Sequence, residues 1–201
     1  GRLYRWWASV APNAAERIAR AQTADGYYTR AVTLSPQNAT LWDEWASLDL
    51  SFLDDRAGAL EKLNHSLGLD AKYDRTYALL GDYHATLARA AGDPAEYAQA
   101  AEAYQRGIAL TPDAISLRIG LGAVYSATGQ NDRAIDSYSQ AVKVAPPTVN
   151  LTNVFRALAE LYRRDGDKGN ALKYARLALS HAPDEMKPEI QKFIEELNAG
   201  R

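Results

Sequence analysis

Between Ile115 and Thr148 the chain carries a 34-residue pattern that leaves little choice of local fold. Counting Ile115 as position 1, large Leu121 stands at 7, small Gly122 at 8 and large Tyr125 at 11. Small Ala134, large Tyr138, small Ala141 and Pro146 follow at 20, 24, 27 and 32. Leu121 and Tyr125, four apart, share one face of a helix. Ala134, Tyr138 and Ala141 recur at four and three, the stripe of a second helix. Gly122 lets that second helix approach closely, and Tyr138 fills the gap between its two alanines. Thr128-Gly129-Gln130-Asn131-Asp132 predicts the turn, with Gly129 as a left-handed C-cap and Asn131 or Asp132 as N-cap. Pro146 stops the second helix and turns Ala145 away from helical geometry.

The pattern recurs along the chain. Residues 39–73 repeat it with one residue too many: Trp42, Trp45 and Ala46 at positions 4, 7 and 8, then Ala59, Leu63, Ser66 and Ala71 at 20, 24, 27 and 32, with Asp49 where an aromatic is usual. Residues 74–114 place Tyr77, Leu80, Gly81 and His84, then Ala100, Tyr104, Gly107 and Pro112, around seven extra residues near Leu87 to Tyr97. That insertion predicts longer helices meeting at Gly92-Asp93-Pro94, with Asp93 as N-cap and Pro94 at N1, and a protruding turn. Within 149–185, Phe155, Leu158, Ala159 and Tyr162 are followed by Ala171, Ala175, Ala178 and Pro183, with Asp165-Gly166-Asp167 as the turn. Residues 1–38 read as a truncated, irregular unit: Gly1 and Tyr4 at positions 8 and 11, an insertion broken and capped at Pro12-Asn13, then Ala24, Tyr28, Ala31 and Pro36. Residues 186–201 close the series with a helix bearing Ile190, Phe193, Ile194 and Leu197 on one face and Glu189, Gln191, Lys192, Glu195 and Glu196 on the other.

These positions resemble the tetratricopeptide repeat (TPR) family. The resemblance implies an all-α, right-handed α-α superhelix: one TPR solenoid domain with about four full repeats after a truncated one, plus a C-terminal capping helix. Weaker strings, Gly1-Arg-Leu-Tyr-Arg-Trp-Trp-Ala and Ala31-Val-Thr-Leu-Ser-Pro-Gln-Asn, resemble the TPR tail of bacterial O-antigen-ligase-like membrane proteins. On that reading the domain is the cytoplasmic or extracytoplasmic tail of a polytopic protein, serving recognition or assembly. The start at Gly1 without a methionine fits a piece of something longer.

Bulk chemistry removes other classes. A net charge of −2 provides no general drive toward nucleic acid or anionic membrane. The absence of cysteine excludes disulfides and thiolate metal sites, and no run of about 18 apolar residues spans a bilayer. His65, His84 and His181 do not pair at i, i+4, so no helical zinc motif exists. Gly120-Leu121-Gly122 lacks the third glycine and the preceding strand of a dinucleotide loop. Asp165-Gly166-Asp167-Lys168-Gly169-Asn170 lacks the acidic ligands of a calcium loop. Nothing in the sequence asks for an enzyme or a cofactor. Adjacent Trp6 and Trp7 cannot both face one core; a packed aromatic at the array's end is the first reading, a membrane-interface contact the second.

In TPR families, positions 2, 5, 9 and 12 of each first helix line a concave groove that takes an extended peptide or partner helix. By resemblance the groove positions here are Thr40, Asp43, Ser47 and Leu50; Arg75, Ala78, Asp82 and Ala85; Ser116, Ile119, Ala123 and Ser126; and Asn153, Arg156, Glu160 and Arg163. Arg75, Asp82, Ile119, Ala123, Asn153, Arg156, Glu160 and Arg163 are the candidate partner-binding residues. Arg156 and Arg163 with Asn153, and Arg164 beside them, predict a basic end suited to a carboxylate or acidic peptide. Asp43 and Ser47 stand where chaperone-binding TPRs need Lys and Asn, so chaperone carboxylate tails are not expected to bind. The expected function is therefore a non-catalytic protein-interaction scaffold. A cut N-terminal end with exposed apolar faces is also open to self-association.

Overall fold

A computed structural model describes residues 2–199, with the side chain of Tyr4 left out. The expectations placed on Gly1 and on the Tyr4 side chain lie outside the described residues. The described residues form helices joined by short turns, with no strand among them. They divide into two compact units, Gly1–Pro112 and Asp113–Arg201.

The first unit contains three helical hairpins. Helices α1 (Arg2–Ser9) and α2 (Ala14–Leu34) are separated at Pro12-Asn13, where the Asn13 side chain accepts the Glu16 amide at 2.8 Å. Ala8, Ala21, Ala24 and Tyr28 form their shared core with Leu48. Trp6 and Trp7 do not join it. They are 62% and 39% exposed, and the Arg20 guanidinium lies 4.2 Å above the Trp7 ring.

Helices α3 (Ala39–Leu48) and α4 (Arg56–Leu69) form the second hairpin. The extra residue of this repeat is absorbed in a π-helical turn, Asp49–Leu53, after which Asp54 takes a left-handed φ of 51°. A π turn holds one more residue than an α turn of the same pitch, so the pattern downstream resumes in register. Asp49, in place of the usual aromatic, is buried and meets Lys62 Nζ at 2.6 Å. The Lys62 ammonium also sits 4.3 Å over the Trp45 ring. Burial raises the Asp49 pKa, and Lys62 opposes that rise.

Helices α5 (Asp74–Ala91) and α6 (Pro94–Leu110) form the third hairpin. Gly92 has φ 66° and the Asp93 side chain accepts the Ala95 amide at 2.8 Å, as the sequence requires. The seven extra residues lengthen both helices to 18 and 17 residues rather than forming a loop. His84 Nδ1 stands 2.7 Å from Glu96 Oε2 across them.

The second unit holds α7 (Ile115–Ala127), α8 (Asn131–Val144), α9 (Thr152–Arg164), α10 (Lys168–His181) and, after a 3-10 turn at Asp184–Met186, α11 (Lys187–Asn198). Gly129 and Gly166 take φ of 73° and 78° and end their first helices. The amides of Gln130 and Asp167 reach back to the carbonyls of Tyr125 and Tyr162, both at 2.9 Å. The caps of the second helices differ from expectation at one point. Asp167 caps α10 by accepting the Asn170 amide, but neither Asn131 nor Asp132 caps α8. Asn131 is already its first helical residue, and its side-chain amide donates to Asp165 Oδ1 at 3.0 Å, tying one turn to the next.

The small and large positions meet as the spacing demands. A Cβ built on Gly122 falls 2.9 Å from the Tyr138 ring, and one on Gly81 only 2.4 Å from the Tyr104 ring. Where position 24 carries a smaller side chain, position 8 carries alanine: Ala46 with Leu63, and Ala159 with Ala175. Ala145 and Ala182, each before a proline, are extended at ψ 129° and 140°. Ile190 and Leu197 of α11 are buried, with Phe193 and Ile194 packed beside them against Ala159, Ala171 and Ala175.

Candidate functional site

Each unit carries a cleft on the side of its first helices. The cleft of the first unit, about 330 Å³, runs between α3, its π turn and α5. Ser47 and Leu50 line one wall; Asp82, Tyr83 and Thr86 line the other; Asp54 and Arg56 lie at the mouth. Three of these, Ser47, Leu50 and Asp82, are groove positions read from the sequence. The π turn adds Ser51 to the wall, which no regular repeat spacing announces.

The Asp82 carboxylate accepts the Tyr104 hydroxyl at 2.6 Å. Burial raises its pKa, against the effects of that hydrogen bond and of Arg89. The residue as a whole is well exposed. The carboxylate is therefore fixed from below by Tyr104 while its outer edge faces the cleft. Arg56 Nε donates to Asp54 Oδ1 at 3.0 Å. The cleft accordingly offers aliphatic walls, hydroxyls and a carboxylate held by a neutral hydroxyl.

Asp43 departs from its expected place. It is fully buried, and Thr76 donates to both its oxygens at 3.1 and 3.0 Å. Ser66 lies 3.2 Å from the same hydroxyl. Burial raises the Asp43 pKa, with the hydroxyls and Arg75 opposing. Position 5 of this helix thus ties two hairpins together and is closed to a ligand. Arg75 is exposed and forms no wall of this cleft. Thr40 opens on a different hollow, beside Tyr73.

The second unit's cleft, about 560 Å³, lies between α9 and α11. Asn153, Arg156 and Glu160, three of the groove positions assigned by resemblance, form one wall. The opposite wall is α11, through Glu189, Ile190, Lys192, Phe193 and Glu196. Sequence reading assigned Glu189, Lys192 and Glu196 to a polar outer face. Their spacing of three and four places them along one edge of α11, and that edge borders the cleft. Ile119 is half-buried and Ala123 exposed on α7, and neither is part of this cleft.

The basic end expected here is internally neutralised. Arg156 pairs with Glu189. Arg163 donates to both oxygens of Glu160 at 2.8 Å, and Arg164 Nε reaches the same carboxylate at 3.1 Å. The hydrogen bond from Arg163 is the first cause of a lowered Glu160 pKa. An incoming carboxylate must displace one of these partners, so a simple acidic-peptide pocket is not what the geometry offers. The walls instead present alternating charge over an apolar floor of Ile190 and Phe193. Among the described residues no cluster of histidine and carboxylate side chains is placed to hold a metal ion, and no helix is long and apolar enough to cross a membrane.

Helical hairpins in series, with small-for-large exchange at their crossings and clefts on the first-helix side, define a helical-repeat binding protein. Comparison with known proteins names the repeat. Two tetratricopeptide repeat family models match, at residues 115–148 and 154–189. The first coincides with the segment from Ile115 to Thr148. Residues 115–148 and 154–189 are thus matched as tetratricopeptide repeats. Among solved structures it is similar to MamA, at 23% identity and a TM-score of 0.69, covering 85% of this chain and 92% of that one. It is also similar to a thermophilic TPR protein of Thermus thermophilus, at 24% identity and a TM-score of 0.68, covering 90% and 92%. A third is PilF of Pseudomonas aeruginosa, at 14% identity and a TM-score of 0.68, covering 91% and 76%. These likenesses are of fold. No curated protein sequence matches the chain.

Proposed function

We propose that this protein is a non-catalytic scaffold that holds extended segments of a partner protein against its first-helix faces, one in the cleft at Asp82 and one in the cleft at Arg156. The TPR fold supports protein–protein interaction in general. The observation that carries the finer reading is the agreement of groove spacing with cavity: Ser47, Leu50 and Asp82 share one cleft, and Asn153, Arg156 and Glu160 share the other. The side chains specify the ligand's chemistry. At Asp82 the site takes a donor or cation beside an aliphatic group. At Arg156 and Glu160 it takes a polar segment with an apolar side chain reaching Ile190 and Phe193. Main-chain amides and carbonyls of an extended peptide suit the alternating charge of the second cleft better than a bare carboxylate does.

Peptide display against the whole chain, followed by calorimetric titration of the selected sequences, tests this. Asp82→Asn keeps an acceptor for Tyr104 while removing the charge, and Arg156→Gln keeps a donor. Each is expected to weaken its peptides by about tenfold, the scale of one charge-assisted contact. Peptides that bind the double variant undiminished would sink the proposal. Chaperone carboxylate tails serve as the negative control, because the clamp position at Asp43 is buried; micromolar binding of such a tail would count against the groove assignment as well.

A further inference from the structure

We infer that α1 docks on an anionic lipid surface. Its apolar residues Leu3, Trp6, Trp7 and Val10 stand at i, i+3, i+4 and i+7, the spacing of a single helical stripe. In an ordinary hairpin that stripe faces the core. Here it faces outward, at 69%, 62%, 39% and 53% exposure, while Ala8 on the other side is fully buried. The inward side is also held by polar contacts: Arg2 pairs with Glu44, and Arg5 donates to Ser47 Oγ at 2.7 Å. The helix is thus fixed on the body with its apolar edge presented, before any ligand arrives. Ile18 on α2 adds a further exposed aliphatic, at 47%.

Charge selects the occupant. Residues 1–38 contain five arginines against two carboxylates, Glu16 and Asp25, and are net +3 in a chain whose total is −2. The remaining residues are therefore net −5. A closed two-fold pairing of two copies through this face would set one positive surface against another. An anionic bilayer instead meets exposed Arg17 at its headgroups and the exposed Trp6 indole at the boundary between headgroup and acyl chain, where tryptophan partitions. A helix of eight residues buries little area, so the contact is weak, reversible and dependent on salt.

The test is sedimentation of the whole chain with vesicles of phosphatidylcholine, with and without about one third phosphatidylglycerol. Binding is expected to the anionic vesicles alone, at low salt, with a blue shift of tryptophan emission, and to be lost near 0.5 M salt as screening shortens. Trp6→Ala and Arg17→Glu alter exposed side chains. Each is expected to lower partitioning by about tenfold, with circular dichroism unchanged. Three results would each overturn the inference: no binding to the anionic vesicles, undiminished binding of the Trp6→Ala protein, or a dimer sensitive to Trp6→Ala in sedimentation equilibrium without vesicle binding.

Discussion

At the scale of single residues, helix crossing is governed by volume complementarity between positions 8 and 24 of each repeat. Gly122 faces the Tyr138 ring so closely that an added Cβ lies at 2.9 Å. The ring is itself buried, and burial alone raises its pKa. Gly122→Ala is therefore expected to destabilise the second unit by roughly 1–3 kcal/mol through overpacking. The companion change Tyr138→Leu should be milder in that background than in the wild type, because it recreates the alanine–leucine pairing of Ala46 and Leu63. A double-mutant cycle by urea denaturation measures this. Additive losses at the two positions would show that the glycine is not there to admit the ring. This relation was legible in the sequence, since small and large side chains were already assigned to a crossing. What was not legible is the fate of Asp43, whose spacing assigns it to the groove. Its burial depends on Thr76, Ser66 and Arg75, side chains from other helices that periodicity within α3 does not report.

At the scale of elements, the same contrast separates insertions that could be placed from those that could not. The seven extra residues before Tyr97 were readable because Gly92, Asp93 and Pro94 mark the turn by their own chemistry. One extra residue in the preceding hairpin has no such mark, and it emerges as the π turn Asp49–Leu53. Deleting Ser51, which is exposed, should let α3 continue as a regular helix and keep everything downstream in register. The expected cost is about 1–2 kcal/mol, within the range of ordinary substitutions. Deleting Ala123 from α7 instead rotates the rest of that helix by about 100° relative to its core face and should unfold the second unit. Thermal melts of both variants decide the point: a Ser51 deletion as damaging as the Ala123 deletion would mean that the π turn is required for folding. Helix α11 gives the complementary lesson. Its apolar face was read correctly, but its role as a cleft wall depends on where α9 lies. Spacing on one helix does not contain that information.

At the scale of the whole molecule, the two units hold their carboxylates in opposite ways. In the first, burial raises the pKa of Asp43, Asp49 and Asp82. A raised carboxylate pKa means the folded state binds protons more readily than the unfolded one, so the penalty is fully present above the folded pKa and relieved as pH falls through it. In the second, hydrogen bonds from Arg163 and Arg164 lower the pKa of Glu160, and exposed Asp167 and Asp184 are lowered by Asn170 and Lys187. The stability these groups contribute is present above their ordinary carboxylate range and lost as pH falls through their lower folded values. The sequence provides a probe for the difference, because all four tryptophans, Trp6, Trp7, Trp42 and Trp45, belong to the first unit. Urea unfolding followed by tryptophan emission should keep or raise its midpoint as pH is lowered from 7 into the carboxylate range. Helix content, which reports both units, should lose stability there at a lower urea concentration than the tryptophan signal. Divergence of the two probes on acidification is the expected result. Midpoints that fall together, by equal amounts, would mean that the buried aspartates of the first unit are not held against their charge.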